Sequence, residues 1–321
     1  RTQLNNMKQL RQLALDVRRR VEQYGEEVLT ELFLADPTLV EDLSSCWQMH
    51  ARANQMRPED SKDIWMISAG RGMGKTRLAS EEVLDICEDW REKAKIIIAS
   101  KTIGDVRKVM IGGESGLESC AMRRGYEVRY IPSHSMVYHP SGAVLYLVTA
   151  EKPNMARGLQ CNYFWLDEIS SWQNPVESFD NILMSWRLPC PGGKKGIITT
   201  TPKPNPITVR LIKEMDRSVT VTYGSTRDNY ANLAQGTVEQ LEALYQGTRL
   251  GRQELSGELL DSIGSIVAQD TIHEHRVKEE PVEYTRKIVS LDPSITDHED
   301  SDAAGIIVIG RDSQPIPDAY V

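Results

Sequence analysis

The segment Ile64–Thr76 constrains the fold of this chain more than any other. An apolar run, Ile64–Ala69, passes directly into Gly70-Arg71-Gly72-Met73-Gly74-Lys75-Thr76. Leu78, Ala79, Val83 and Ile86 then recur at helical spacing. A buried strand, a glycine-rich turn and a helix N-terminus together make a phosphate cradle. The glycines let backbone N–H groups converge on phosphate oxygens, and the helix end adds partial positive charge. The usual pattern places two glycines with four residues between them before Lys-Ser/Thr. The first of those positions is Ala69 here, so the pattern is shifted by one, and Gly70, Gly72 and Gly74 supply the flexibility. Lys75 can reach the β- and γ-phosphates, the Thr76 hydroxyl can ligate Mg²⁺, and Arg71 is a further cation in the loop.

A second run, Tyr163-Phe164-Trp165-Leu166-Asp167-Glu168, reads as a buried strand ending in two carboxylates. Strand C-termini lie beside the ligand in a doubly wound sheet. Asp167 can then hold Mg²⁺ through water, and Glu168 can polarise the water that attacks a γ-phosphate. Three weaker features accompany this pair. Arg157 precedes it and can stabilise charge on a transferring phosphoryl group, in its own or a neighbouring site. Thr199-Thr200-Thr201 ends the strand Gly196–Thr200, where hydroxyls can sense the γ-phosphate. Gln55, upstream of the loop, can read adenine with an amide that both donates and accepts. A surface arginine, a β-branched strand end and a plain loop stay open as readings of these three.

The surrounding texture is α/β. Lys95–Ser100 and Val219–Tyr223 are further strands, and Lys287–Leu291 and Ala304–Ile309 are two more. Val128–Tyr138 and Ala143–Val148 read as a hairpin turning at Pro140-Ser141-Gly142. Strands alternating with helices imply a largely parallel sheet. Before it, Leu10, Leu13, Ala14, Val17, Val21 and Tyr24 mark one helix, with Arg18, Arg19 and Arg20 on a solvated face. Glu26–Leu34 forms a second helix, and Asp36-Pro37 opens a third through Leu43. Gln235–Tyr245 and Thr248–Leu255 are helical. Asp261–Pro281 is polar and irregular, as in a linker.

Composition removes several alternatives. A net charge of −8 over 321 residues argues against binding nucleic acid through bulk positive charge, though not through local basic loops. The apolar runs are too short to span a bilayer. The polar N-terminus has neither the core of a signal peptide nor an initiator Met, as in a trimmed chain. Five scattered cysteines without a C-x-x-C pair suit a reducing cytoplasm, not a zinc site or disulfide framework.

In chain order, Arg52-x-x-Gln55-x-x-Pro58, the loop Ala69–Thr76, Ala156-Arg157-Gly158, Leu166-Asp167-Glu168 and Thr199-Thr200-Thr201-Pro202 resemble the large terminase subunit of tailed bacteriophages. Gly224-Ser225-Thr226-x-Asp228-Asn229 and Tyr245-x-Gly247-Thr248-x-x-Gly251-x-x-Glu254-x-x-Gly257-Glu258 fit the same family. The likeness covers about residues 47–310. It implies a P-loop NTPase with a largely parallel central sheet flanked by helices, a small lid subdomain and the start of a ribonuclease H-like nuclease domain. The implied segments are helices at 1–46, an ATPase core at 47–205, a lid at 206–260, a linker at 261–284 and a nuclease beginning at 285–321.

The resemblance further implies a DNA-packaging motor. A ring of subunits, usually pentameric, sits on the portal vertex of an empty capsid and uses ATP with Mg²⁺ to drive double-stranded DNA inward. A nuclease using Mg²⁺ or Mn²⁺ cuts the concatemer. The implied partners are double-stranded DNA, the portal protein, the small terminase subunit and further copies of the chain. No membrane is involved. The implied location is the host cytoplasm and, transiently, the procapsid portal; the mature virion lacks the protein. By position, Arg52, Gln55, Gly70, Arg71, Gly72, Met73, Gly74, Lys75 and Thr76 would bind ATP. Asp167 would support the metal, Glu168 would be the catalytic carboxylate, and Arg157 would match a finger reaching a neighbour's nucleotide. Thr199, Thr200 and Thr201 would form the coupling motif. Asp292, ending an apolar strand, would be the first nuclease ligand, and Asp302 would assist. Two-metal cleavage needs several carboxylates around ions roughly 4 Å apart, and the family's remaining ones lie beyond Val321, so no DNA cleavage is expected of this chain. A motor must also release DNA, so local contacts are expected; Arg123, Arg124, Arg129, Lys194, Lys195, Arg210, Lys213 and Arg217 are candidates among which the sequence does not choose. Two other readings are a helicase-like cellular ATPase, whose further motifs are missing, and an inactive assembly scaffold. Intact Lys75, Thr76, Asp167 and Glu168 argue against the scaffold.

Overall fold

The computed structural model describes residues 2–215, 217–234, 236–245, 248–259, 284–292, 305–312 and 319–320. They fall in two compact units, Arg1–Ser262 and Ile263–Val321.

The first unit opens with four helices: α1 (Thr2–Tyr24), α2 (Glu27–Ala35), α3 (Pro37–Ser44) and α4 (Trp47–His50). Asp36 caps α3 by accepting from the Leu39 N–H (3.1 Å), with Pro37 in the first turn. Ala14 and Val17 of α1 pack on Leu43 and Cys46, whereas Leu13 and Tyr24 are exposed, so the buried stripe of α1 is narrower than its apolar spacing. Arg18 is not on a solvated face. Its guanidinium donates to the Gln48 carbonyl (3.1 Å) and to that of Ala51, closing the end of α4.

The chain then alternates between strands and helices. In order these are β1 (Ile64–Ala69), α5 (Lys75–Trp90), β2 (Lys95–Ser100), α6 (Ile103–Asp105, continued as a π-helical turn Val106–Ile111) and α7 (Leu117–Arg123). Next come β3 (Arg129–Ile131), β4 (Met136–Tyr138), β5 (Val144–Thr149), β6 (Tyr163–Asp167), α8 (Pro175–Ser185), β7 (Gly196–Thr200), α9 (Pro206–Val209), β8 (Val219–Gly224), α10 (Thr237–Tyr245) and α11 (Arg249–Glu254). The sheet order is β3-β4-β5-β2-β6-β7-β1-β8, parallel except where β3 and β4 run antiparallel to their neighbours. The expected single strand Val128–Tyr138 is two short ones, because a 3-10 turn at Pro132–His134 and a left-handed Ser135 reverse the chain.

All residues of β1, β6 and β7 are buried, as a parallel strand covered on both faces requires. Alternation sends Trp65, Ile67 and Ala69 toward α5 and α7, and Ile64 and Met66 toward α8 and α9. Each fully buried aliphatic side chain contributes about 1.5–3 kcal/mol. Register aligns the carboxyl ends: Ser68 lies opposite Thr200, and Asp167 opposite Thr199. β1, β7 and β6 therefore end side by side, which is where a parallel sheet presents its ligand site.

A buried ion network fastens α1 to this core. Arg11 pairs with Asp85 (3.3 Å), Glu88 and Asp89 of α5. Arg124 donates to Glu81, Asp85 (2.8 Å) and Glu88 (2.9 Å). Arg124 is thus withdrawn from the expected DNA contacts. Arg210, by contrast, pairs with Asp180 (2.8 Å), and Lys194 lies over the Trp186 ring.

In the second unit β9 (Tyr284–Asp292), β10 (Gly305–Asp312) and β11 (Ala319–Tyr320) form an antiparallel sheet ordered β11-β10-β9, with Asp292 opposite Gly305. Ala304, Asp302 and the linker segment 261–281 lie outside the described residues. All five cysteines are free thiols.

Candidate active site

β1 runs into a loop that only glycine can build. Gly72 and Gly74 hold φ of +74° and +96°, and a Cβ on Gly74 would stand 2.6 Å from Gln55 Nε2. At Gly70 the constraint is a neighbour, since an added Cβ would stand 2.3 Å from the Leu255 carbonyl oxygen. The segment after β8 closes over the loop there. The Gly70 N–H donates to the Gly224 carbonyl (3.0 Å), the Arg71 N–H to the Glu254 carbonyl (2.7 Å), and Arg71 Nε to the Glu254 carboxylate (2.7 Å). Gly70→Ala is therefore expected to destabilise the protein by about 1–3 kcal/mol, the usual cost of overpacking. Urea denaturation measures it. Gly104→Ala, whose Cβ meets nothing closer than 3.4 Å, is the control.

Lys75, first residue of α5, is buried. Its Nζ donates to the carbonyls of Ala69 (3.0 Å) and Gly70 (3.1 Å) and to Thr201 Oγ1 (3.0 Å), and lies 3.7 Å from Glu168 Oε1. Asp167 is buried at the end of β6 and accepts from Thr199 Oγ1 (2.6 Å), which itself accepts from Trp165 Nε1. Burial, and then the Glu168 charge beside it, push the Asp167 carboxyl up, against the opposing pull of the Thr199 hydroxyl and Lys75.

Glu168 adopts a left-handed backbone (φ 50°, ψ 42°), which costs a non-glycine residue about 1–2 kcal/mol. Its N–H donates to the Thr199 carbonyl (2.6 Å). Its carboxylate accepts from the Thr201 N–H (3.0 Å) and the Thr201 hydroxyl (3.3 Å). Thr201 thus touches both Lys75 and Glu168. Thr200 does not; its hydroxyl accepts from the Ser170 N–H (3.2 Å).

Residues 66–273 match the family described as terminase large subunit, T4-like-virus type, N-terminal. The chain belongs to this family. No curated relative matches it. Two solved structures of the large terminase from a thermophilic bacteriophage are 19% identical to it. One superposes with a TM-score of 0.52, covering 86% of this chain and 66% of its own. The other, in complex with ADP, has a TM-score of 0.53 and covers 81% and 63%. The large terminase ATPase domain of Thermus phage P74-26 is 16% identical with a TM-score of 0.51, covering 68% of this chain and 98% of its own. These likenesses show that the terminase ATPase fold is shared. The chain spans just under two thirds of the length of the thermophilic-phage terminase.

The remaining expected residues of this terminase chain divide. Gln55 is buried behind Gly74, its Oε1 accepting from the Arg52 N–H (3.2 Å). Thr76 is half-buried in the first turn of α5. Mg²⁺ takes oxygen ligands, typically one or two carboxylates with phosphate oxygens and water. Thr76 and Asp167 supply oxygen donors of that kind. Among the described residues no group of three or more His, Cys, Asp or Glu could hold an ion without a phosphate. Arg157 is exposed. Its Nε donates to Asn181 Oδ1 (3.4 Å) on α8, and no hydrogen bond or ion pair among the described residues joins it to the loop. Asp292 ends β9 in the other unit. Among the described residues no helix is long and apolar enough to cross a membrane.

Thr226, Asn229 and Glu254 also touch the loop. The sequence showed them in a family pattern without a task. Their spacing was visible, but their partners lie more than 150 residues away along the chain.

Proposed function

We propose that this terminase chain is an ATP-hydrolysing motor subunit that moves double-stranded viral DNA into a preformed capsid through the portal. The supporting observation is Thr201, whose hydroxyl accepts from Lys75 and donates to Glu168. One hydroxyl thereby links a phosphate-gripping cation to a carboxylate that can handle water. ATP seats its phosphates on the loop amides, and Lys75 exchanges its carbonyl partners for β- and γ-oxygens. Thr76 and Asp167 would hold Mg²⁺, whose charge would offset that of the phosphates. Glu168 orients the attacking water and takes its proton. As Lys75 turns to phosphate, Thr201 loses one partner and keeps the other, so Thr199–Thr201 is a direct route for reporting nucleotide state.

Arg157 is assigned to a neighbouring subunit's nucleotide in a ring, because it is exposed, bonds Asn181, and among the described residues makes no hydrogen bond or ion pair with its own loop. Residues 206–260 act as the lid, and β9 with Asp292 opens a nuclease of the ribonuclease H type. The small terminase subunit and the portal protein are the proposed partners, in the host cytoplasm.

Mixing subunits tests the reading. Arg157→Ala and Lys75→Ala proteins are each expected to lack DNA-stimulated ATPase activity. Together they are expected to regain part of it, where an intact loop meets a neighbour's intact arginine. No activity at any mixing ratio would remove Arg157 from the neighbour's site.

A further inference from the structure

Gly70 and Arg71 turn their N–H groups outward, to Gly224 and Glu254, so a phosphate cradle here needs the N–H groups that follow them to point inward. Its carbonyls must then point outward and find other donors. All five carbonyls from Ala69 to Met73 have one. Lys75 serves Ala69 and Gly70. Thr226 Oγ1 donates to Arg71 (2.6 Å), Asn229 Nδ2 to Gly72 (2.6 Å), and Arg52 Nη2 to Met73. The first two bonds end when Lys75 turns to a phosphate. The other three come from residues outside the loop and persist.

Asn229 is the joint of that outer set. While its Nδ2 holds the Gly72 carbonyl, its Oδ1 accepts from Arg52 Nη1 (2.7 Å) and from Asn232 Nδ2 (3.0 Å). One side chain therefore holds one loop carbonyl and orients the guanidinium that holds the next. Only a carboxamide of this length offers a donor and an acceptor together; aspartate keeps the acceptor and sets a carboxylate against the Gly72 oxygen. The segment carrying it is itself fixed. Asp228 accepts from the Ser225 N–H (2.9 Å), the Ser225 hydroxyl (3.0 Å) and Asn54 Nδ2 (2.9 Å).

We infer that Asn229, working with Arg52, is the positioning residue that sets the inward direction of the phosphate-loop amides, so that nucleotide affinity depends on a side chain that never touches nucleotide. The inference rests on the nucleotide-binding reading of the loop. Without Asn229 the Gly72 and Met73 peptides are free to rotate, and the cradle must be ordered again at each binding event.

The test is equilibrium ADP binding by calorimetry to the whole chain, for wild type, Asn229→Asp, Asn229→Ala, Arg52→Ala and the double alanine variant. Asn229→Asp is nearly isosteric and carries the test if the alanine variant folds poorly, as thermal melting reports. Loss of one or two well-made hydrogen bonds should raise the ADP Kd about tenfold in both Asn229 variants. The KM for ATP should rise more than kcat falls. The double alanine variant should bind no more weakly than Asn229→Ala alone, because the two residues act as one unit. Wild-type affinity in a folded Asn229→Asp protein would overturn the inference, as would fully additive losses in the double variant. If wild type itself binds no ADP, the nucleotide reading fails, and that result is distinct from either.

Discussion

Glu168→Gln is expected to lower the ATP turnover of this chain by about 10²–10⁴-fold, the range typical of a lost general base, while leaving ADP affinity close to that of wild type. The change is isosteric, and the new amide oxygen can still accept from the Thr201 N–H, so the left-handed turn at position 168 keeps its support. What disappears is a negative charge 3.7 Å from Lys75 Nζ and, with it, the proposed base. Lys75 keeps the Ala69 and Gly70 carbonyls and Thr201 as partners, so the loop itself is not disturbed. Lys75→Ala makes the informative contrast. It removes the cation proposed to meet phosphate and should lose affinity and turnover together. Single-turnover hydrolysis with calorimetric ADP binding separates the two patterns. Turnover within threefold of wild type in Glu168→Gln would leave that backbone conformation serving Thr201 alone.

The parts of this site that the sequence made legible are those whose cause is local. A run such as Ile64–Ala69 followed by Gly-x-Gly-x-Gly-Lys can hardly be anything but a strand, a loop and a helix start, because strand burial and positive φ act within a few residues. The Asp167–Glu168 pair was legible for the same reason. Less legible were features whose cause lies far along the chain. Thr226, Asn229 and Glu254 meet the loop across separations of 155 to 183 residues, and no local pattern says what they hold. The break between β3 and β4 was hidden because Ser135, not a glycine, takes the left-handed position. Basic residues were the least legible. Arg123 and Arg124 are adjacent in sequence, yet Arg124 is the one turned into the protein, toward carboxylates on a helix far upstream. Charge identity says which groups seek partners, but only the packing of α7 on α5 says which of them find one.

That packing sets the largest stability effect expected here. Arg124→Met should destabilise the protein by about 3–5 kcal/mol, the cost of stranding buried charge. The guanidinium side chain is only 6% exposed and bonds Glu81 (2.5 Å), Asp85 (2.8 Å), Glu88 (2.9 Å) and the Glu81 carbonyl (3.0 Å). Methionine fills much of its volume, so the loss is one of charge and hydrogen bonds rather than of space. Glu81 and Glu88 are buried, and Tyr126 donates its hydroxyl to Glu88 (2.5 Å). Arg11 still faces Asp85, Glu88 and Asp89 in the variant, but among the described residues Glu81 keeps only Arg77 as an ion-pair partner. Stranded carboxylates have folded pKa values raised above their unfolded ones, so the folded variant binds extra protons and recovers stability as pH falls. The gap between wild type and variant should therefore be wider at pH 8 than at pH 5.5, when both are unfolded in urea. A loss below 1 kcal/mol, or a gap that widens toward acid, would mean that Arg11 alone neutralises the acidic face of α5. The N-terminal helix, not α7, would then be the element that makes that face safe to bury.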